Sequence, residues 1–548
     1  MAQSNGNGTG QRTFDVVVVG AGFGGMYQLF QLREQGFSTL VLEAGAGVGG
    51  TWYWNRYPGA RCDVESLCYS YSFSKDLEQE WTWSEKYSPQ PEILAYANHV
   101  ADRFDLRKDI EFNTRVDAAT WDDSVGRWSI TTSSGETISA QFYVMASGCL
   151  SHSKLPEVPA VESFTGPTYH TGHWPHEGVD FTGLRVGVIG TGSSAIQSIP
   201  LMAQQAKQLT VFQRTPNFSM PAGNRPLAED EVSAMKARYP DYRQEARTSG
   251  FGVPVELPTK SALEVTEDER NAQYQKGWDQ GNLVALLLAF TDVITNKEAN
   301  DTAAEFIRGK IRSIVKDPQT AEDLCPFDHP VGTKRPCLDT GYYDTYNRDN
   351  VKLVNLRRTP IEQITPTGVR TSDASYEFDA IVFATGFDAM TGALVAVDIE
   401  GRDGITLKQK WEHGTRTYLG IMVAGFPNFF TITGPASPSV FSNMMVSIEQ
   451  HVDWITDCMT HLRDNHKGTI EATVDAENEW VEHNNEAGEA TLYPLANSWY
   501  MGSNVPGKPR VLMPYIGGVG VYREECDAIV ADNYRGFILG DARELSSV

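Results

Sequence analysis

The sequence has no closely spaced cysteine pair. Its seven cysteines, Cys62, Cys68, Cys149, Cys325, Cys337, Cys458 and Cys526, are odd in number and scattered. A disulfide scaffold, a zinc ribbon and a dithiol redox centre therefore lose their support, and no metal site is expected. Free thiols point to a cytoplasmic location. Long apolar runs are also missing. The longest, Leu283–Phe290, falls far short of the ~20 residues that span a bilayer. Met1–Thr13 is small and polar with no apolar signal-peptide stretch, and reads as a flexible tail. Basic residues are scarce. Lys and Arg number 46 against 70 Asp and Glu, a formal net charge of −24. Such a surface repels phosphate backbones and anionic lipid, so neither nucleic acid nor membrane is an expected partner.

What is present is an ordinary globular composition, 41% hydrophobic and 21% charged, over 548 residues. At ~150 residues per domain that length allows three to four domains. Glycine is plentiful at 49 residues, and its placement is informative. Phe14–Gly20 (FDVVVVG) reads as a buried parallel strand and runs into GAGFGG at Gly20–Gly25. An amphipathic stretch then reaches Gly36, and Ser38–Leu42 is a second apolar strand ending at Glu43. This is one βαβ unit. A second unit follows, with RVGVIG at Arg185–Gly190, GTGSSA at Gly190–Ala195 and LTVFQR at Leu209–Arg214. Pro200 is expected to kink or shorten its helix.

Phe142–Gly148 and Ala380–Gly386 echo each other as strands ending in small-residue turns. Residues 226–327 read as helical and strand-free, with a capping box at Thr266 and Glu269 and a helix start at Asp317–Pro318. The expected fold is α/β, with two Rossmann-like dinucleotide-binding domains and a helical insertion. The first domain takes residues 14–149 and 387–548, the second 150–221 and 329–386, and the insertion 222–328.

Each G-x-G-x-x-G/A turn follows a strand and opens a helix, the context that gives the motif meaning. Gly20 permits the tight turn, Gly22 the approach of a pyrophosphate, and Gly25 close helix–strand packing. Glu43 stands where it can accept hydrogen bonds from a ribose diol, which suits FAD or NAD. In the second unit Gly190, Gly192 and Ser193 form the turn, and Arg214 occupies the position corresponding to Glu43. Arginine pairs with a ribose 2′-phosphate that an acid would repel, so this site suits NADP. Two such sites in one chain imply electron transfer from nicotinamide to flavin. Without a cysteine pair, disulfide reductases fall away.

Two segments narrow the choice. Phe164–Pro175 reads F-x-G-x-x-x-H-x-x-x-W-P through Phe164, Gly166, His170 and Trp174. Gly50–Asp63 reads G-x-W-x-x-x-x-Y-P-G-x-x-x-D and includes Thr51 and Trp52. From Asp15 to about Leu539 the chain resembles the type I Baeyer–Villiger monooxygenases, the family of cyclohexanone, phenylacetone and steroid monooxygenases. The resemblance implies FAD, NADPH, dioxygen and a small ketone, which is converted to an ester or lactone through a flavin peroxide and a tetrahedral adduct. Trp174 speaks against the related N- and S-oxygenating flavin monooxygenases, the alternative reading. The oligomeric state is not fixed by the sequence, and a monomer is compatible with it.

Roles follow from the resemblance, residue by residue. Arg335 in GTKRP would be the permanent cation near the peroxide and the developing oxyanion, held by Asp63. Lys334 would join Arg214 at the 2′-phosphate. The fingerprint residues Phe164, Gly166, His170 and Trp174 would couple the two domains, with His170 acting as neither acid nor base. Thr51 and Trp52 would contact FAD, and Trp499 would close over the nicotinamide. Ser439, Val440 and Phe441 would line the substrate side, where the bulk of Phe441 bears on ketone size.

Overall fold

The computed structural model describes residues 11–541. Most of the tail expected over residues 1–13 thus lies outside the described residues, but its end does not. Strand β1 (Arg12–Val19) already includes Arg12 and Thr13, which pair with Ile138 and Ser139 of the returning strand. Polar residues can start a strand whose buried part is the valine run that follows.

The first βαβ unit continues with helix α1 (Phe23–Glu34) and strand β2 (Thr39–Leu42). All four residues of β2 are buried, as befits a parallel strand covered on both faces. Strand β3 (Thr137–Met145) lies parallel to β1 on its other side. The sheet has eight strands, including antiparallel strands at Val116–Asp122 and Arg127–Thr132.

In the second unit strand β4 (Arg185–Ile189) leads to helix α2 (Ser193–Gln205) and strand β5 (Gln208–Gln213). Contrary to expectation, Pro200 does not shorten α2, which spans 13 residues. The proline removes one main-chain donor, while Ile196, Ile199, Met202 and Ala203 bury the helix on both sides of it. Strand β6 (Ala380–Phe383) pairs in parallel with β4 and belongs to a five-stranded sheet. The first sheet likewise receives a late strand, β7 (Phe429–Thr431), beside β3.

The two returning strands do the same work. A Cβ on Gly20 (φ +101°) would come within 2.7 Å of the Ala146 carbonyl oxygen after β3, and one on Gly190 (φ +115°) within 2.3 Å of that of Ala384 after β6. Each turn is pressed against the end of the neighbouring strand, so only glycine fits.

Between 226 and 327 the chain is helical, with helices Glu229–Thr248, Glu267–Gln280, Leu283–Leu287, Lys297–Ile314 and Pro318–Leu324. The Thr266–Glu269 capping box and the Asp317 cap are both formed. This block has no core of its own. Tyr242 and Ala246 of its first helix pack with Cys68 and Val519, and Arg243 pairs with Glu78 at 2.8 Å. Tyr274, Trp278 and Ile307 instead join the core of the second dinucleotide unit. Among the described residues no helix is long and apolar enough to cross a membrane.

Candidate active site

One cavity of about 1080 Å³ runs between the two dinucleotide units at the C-terminal ends of their parallel strands, the usual ligand position in such sheets. It is at the upper end of the volumes typical of small-ligand sites, as a site for two dinucleotides requires. Helices α1 and α2 both begin here. Their N-caps, Gly22 and Gly192, supply no side-chain hydrogen bond, and neither helix has an acid in its first turn. The first-turn N–H groups and the positive end of each helix dipole are thus left for an anion such as a pyrophosphate.

Around the first turn, Glu43 is 5% exposed. Its carboxylate accepts hydrogen bonds from the Ala21 and Gly45 amides at 2.6 and 2.7 Å. Burial raises its pKa, partly offset by those amides. Gly20, Gly22, Thr51 and Trp52 also line the cavity. Gly25 does not. A Cβ there would lie 1.8 Å from the Gly20 carbonyl oxygen, so it sets the helix–strand distance from behind. Gly25→Ala is therefore expected to yield protein largely without flavin, read as the ratio of absorbance at 450 to 280 nm. Full flavin content would show that α1 can shift without losing its turn.

Around the second turn, Gly190, Gly192, Ser193, Arg214 and Lys334 line the cavity. Among the described residues, neither Arg214 nor Lys334 has a carboxylate partner within 4 Å. Burial lowers the Lys334 pKa, Asp328 opposes that, and Arg214 adds to it. Two cations that repel each other beside a dinucleotide turn fit a phosphate dianion. The residues present thus fit both nucleotides, with the extra phosphate at the second site.

Where the two units meet, Arg335 and Asp63 form a bidentate pair, Nε to Oδ2 at 2.6 Å and Nη2 to Oδ1 at 3.0 Å. Nη1 donates to the Val440 carbonyl at 2.7 Å. Burial opposes charge on both groups. The Arg335 cation nevertheless holds Asp63 below the usual carboxylate range, and Asp63 and the Tyr500 phenol hold Arg335 well above its ordinary value. Both are therefore charged at any working pH. The Gly50–Asp63 segment reaches this point by crossing between the units. Gly50 abuts Gly22, the Tyr57 hydroxyl donates to Gln197 Oε1 of α2 at 2.9 Å, and Asp63 ends on Arg335. Gln197 carried no signal in the sequence, because its role depends on Tyr57, 140 positions away.

The fingerprint residues lie behind the cavity. Phe164 and Trp174 are buried, with Trp174 packed on Tyr169 and Phe181. A Cβ on Gly166 would meet the Phe164 ring at 2.7 Å. His170 Nδ1 accepts from the Gly172 amide at 2.9 Å, and Nε2 faces the Lys154 carbonyl at 3.1 Å. These two contacts place the proton of the neutral ring on Nε2; burial lowers its pKa, and the Lys154 carbonyl opposes that. Lys154 belongs to the connection from the first unit to the second, which pairs with the returning one: Lys154 N donates to Gly386 O at 3.1 Å and Asp388 N to His152 O at 2.8 Å.

The Trp499 segment is tied to this junction. Lys508 Nζ meets Asp388 Oδ1 at 2.6 Å, Asn504 Nδ2 donates to Phe387 O at 2.7 Å, and Lys154 Nζ donates to Asn504 O. Trp499 itself lines the cavity. Of the three substrate-side residues, only Val440 does so. They form a 3₁₀ turn, in which successive side chains fan ~120° apart. Ser439 is fully buried, and Phe441 turns into an aromatic cluster with Tyr493 and Tyr500, at 4.9 and 4.6 Å. Ser442 and Met444 face the cavity instead.

Known proteins repeat this arrangement. Residues 17–236 match the family model of pyridine nucleotide-disulphide oxidoreductases, although all seven cysteines here are unpaired. A Baeyer–Villiger monooxygenase of Pseudooceanicola batsensis is 42% identical over 528 residues, covering 96% of each chain. A phenazine N-monooxygenase of Lysobacter antibioticus is 41% identical over 529 residues, covering 96% of this chain and 97% of its own. The solved structure of an oxidized steroid monooxygenase bound to NADP is 53% identical, with a TM-score of 0.92 over 96% of this chain and 100% of its own. A complex of OTEMO with FAD and NADP is 42% identical, with a TM-score of 0.93 over 96% and 99%. With full-length relatives at this identity and a cavity built for two dinucleotides, the chain belongs to the Baeyer–Villiger monooxygenase family and uses FAD and NADP as its cofactors.

Proposed function

We propose that the chain converts a small ketone, with NADPH and dioxygen, into an ester or lactone, and that it does so in the cytoplasm. The observation that carries this reading is the half-buried, doubly hydrogen-bonded Arg335–Asp63 pair at the meeting point of the two nucleotide sites. Bound FAD, with NADPH as the reductant, would supply the activation of dioxygen. Arg335 provides a fixed positive charge for the negative charge that builds on the ketone oxygen. Three of the five guanidinium N–H donors are taken by Asp63 and Val440, which leaves two for Tyr500 and the cavity. Asp63 fixes the plane of the guanidinium, and the Val440 carbonyl fixes its reach. Arg214 and Lys334 hold the 2′-phosphate, and Trp499 covers the nicotinamide.

A panel of cyclic, aryl and steroid ketones, run beside amines and sulfides, tests the reading. Ester or lactone carrying one atom from dioxygen is the expected product. NADPH oxidation without ester from any ketone would sink it. The phenazine N-monooxygenase relative favours one other reading, N-oxygenation, and exclusive N-oxide formation from the same panel would select it.

The tie between Lys508 and Asp388 carries a further expectation. Lys508→Met frees the Trp499 segment from the connections between the units, so a larger share of NADPH oxidation should end in hydrogen peroxide. The ratio of ester to NADPH consumed measures this. A ratio equal to that of the parent enzyme would mean that the other two ties suffice.

A further inference from the structure

The turn that follows β7 at the cavity wall is unusually constrained. Thr433, Ala436 and Ser439 all have positive φ, at +55°, +64° and +37°. A non-glycine residue in this region costs ~1–3 kcal/mol and persists only where its surroundings hold it. For two of the three the clamps are plain. Ala436 N donates to Met513 O at 2.6 Å and Trp480 Nε1 donates to Ala436 O at 3.0 Å, while Ser439 sits in the 3₁₀ turn already described. Thr433 is held by a histidine. Its amide donates to His451 Nδ1 at 3.0 Å, from helix α3 (Met444–Asp464).

His451 is fully buried and is not needed by the chemistry proposed above. Because Nδ1 accepts a hydrogen bond, the ring proton of neutral His451 resides on Nε2. Nε2 faces the Tyr522 hydroxyl at 2.9 Å, and that hydroxyl in turn donates to the Leu419 carbonyl. The chain of donors therefore runs one way: Thr433 amide to His451, His451 to Tyr522, Tyr522 to Leu419. Tyr522 lies on the late helix α4 (Val519–Ala531). Burial pushes the His451 pKa down to about 3, with Arg523 adding to the shift, so the ring keeps its acceptor nitrogen at working pH.

The held turn belongs to the flavin end of the cavity. Ile432 and Thr433 line it together with Gly22 and Gly24. A Cβ on Gly24, at the start of α1, would come within 3.2 Å of Ile432 Cγ2. The strand before the turn is β7, paired with β3 in the first dinucleotide sheet.

We infer that His451, kept in its Nε2-protonated form by Tyr522, is a positioning residue for FAD: it sets the Thr433 main chain against the bound flavin nucleotide and thereby makes the late helix α4 part of the flavin site. A group that shapes the wall around a flavin acts on its retention and on its electronics, and neither readout depends on which substrate is oxygenated.

The experiment compares holoenzymes carrying Tyr522→Phe, His451→Leu and His451→Asn, each with wild-type far-UV circular dichroism. FAD release is followed by the rise in flavin fluorescence on dilution, and the midpoint potential of the bound flavin by redox titration. Tyr522→Phe and His451→Leu are expected to weaken FAD binding about tenfold, the scale of one lost buried hydrogen bond, and to shift the potential. His451→Asn places an amide oxygen near the Nδ1 position and is expected to restore both. If His451→Leu does not fold, Tyr522→Phe decides, since it leaves the histidine in place. Unchanged release and potential in Tyr522→Phe would overturn the inference. So would faster release with an unchanged potential, or no recovery in His451→Asn, because either would make His451 a packing residue only.

Discussion

Arg335→Ala is expected to lower ester formation ~10²–10³-fold, the usual cost of removing one preorganised donor to a developing oxyanion, while NADPH still reduces the flavin at close to the parent rate. The separation follows from where Arg335 stands. Its guanidinium is committed to Asp63 and the Val440 carbonyl, whereas Lys334 and Arg214, the residues proposed for the nucleotide phosphate, line the cavity beside the second turn. Arg335→Lys should recover little, because a single ammonium cannot make the two parallel bonds to Asp63 and keep a donor at Val440. Asp63→Asn should fall between, since it removes the countercharge but leaves one acceptor. Product analysis by gas chromatography and stopped-flow reduction at 450 nm read the two halves independently. Equal losses in both would place Arg335 in hydride transfer or in nucleotide binding and remove its oxyanion role.

The sheets were legible in the sequence because their determinants are local. A valine run before Gly20 and the matching run before Gly190 each announce a strand, a turn and a helix within about 25 residues. The returning strands could be recognised by their likeness to each other, and the structure adds the reason: Ala146 and Ala384 are the carbonyl positions that the two turn glycines touch. Long-range partners were not legible. Lys508 meets Asp388 across 120 positions, and neither residue stands in a motif. Side-chain direction was equally hidden. Ser439, Val440 and Phe441 formed one candidate lining, yet a 3₁₀ turn sends only Val440 to the cavity wall and Phe441 into its aromatic cluster. The helical stretch after Pro226 read as one block because it carries no strand signal. Arg243, which is buried against Glu78, draws its first helix to a different core from that of Trp278.

Cofactor choice should change most in the double variant Arg214→Ala, Lys334→Ala. Charge-assisted hydrogen bonds contribute ~1.5–3 kcal/mol each, so either single change should reduce the NADPH-over-NADH ratio of kcat/KM roughly 10–100-fold, and the double change should abolish most of it. On the proposed reading the two cations share one dianion, so their effects need not add: with one removed, the other would be relieved of repulsion and its own bond to the phosphate would strengthen. Lys334 also makes the preference depend on pH. Its pKa is lowered by burial and by Arg214, so its charge is lost at a lower pH than that of a free lysine. Its contribution to NADPH binding is full below the lowered value and declines as the pH rises through it. The KM for NADPH should therefore climb at alkaline pH in the parent enzyme, and KM for NADH should not. In Lys334→Met the climb should vanish and the profile should be flat. A climb that persists in Lys334→Met would place the titrating group elsewhere in the second site.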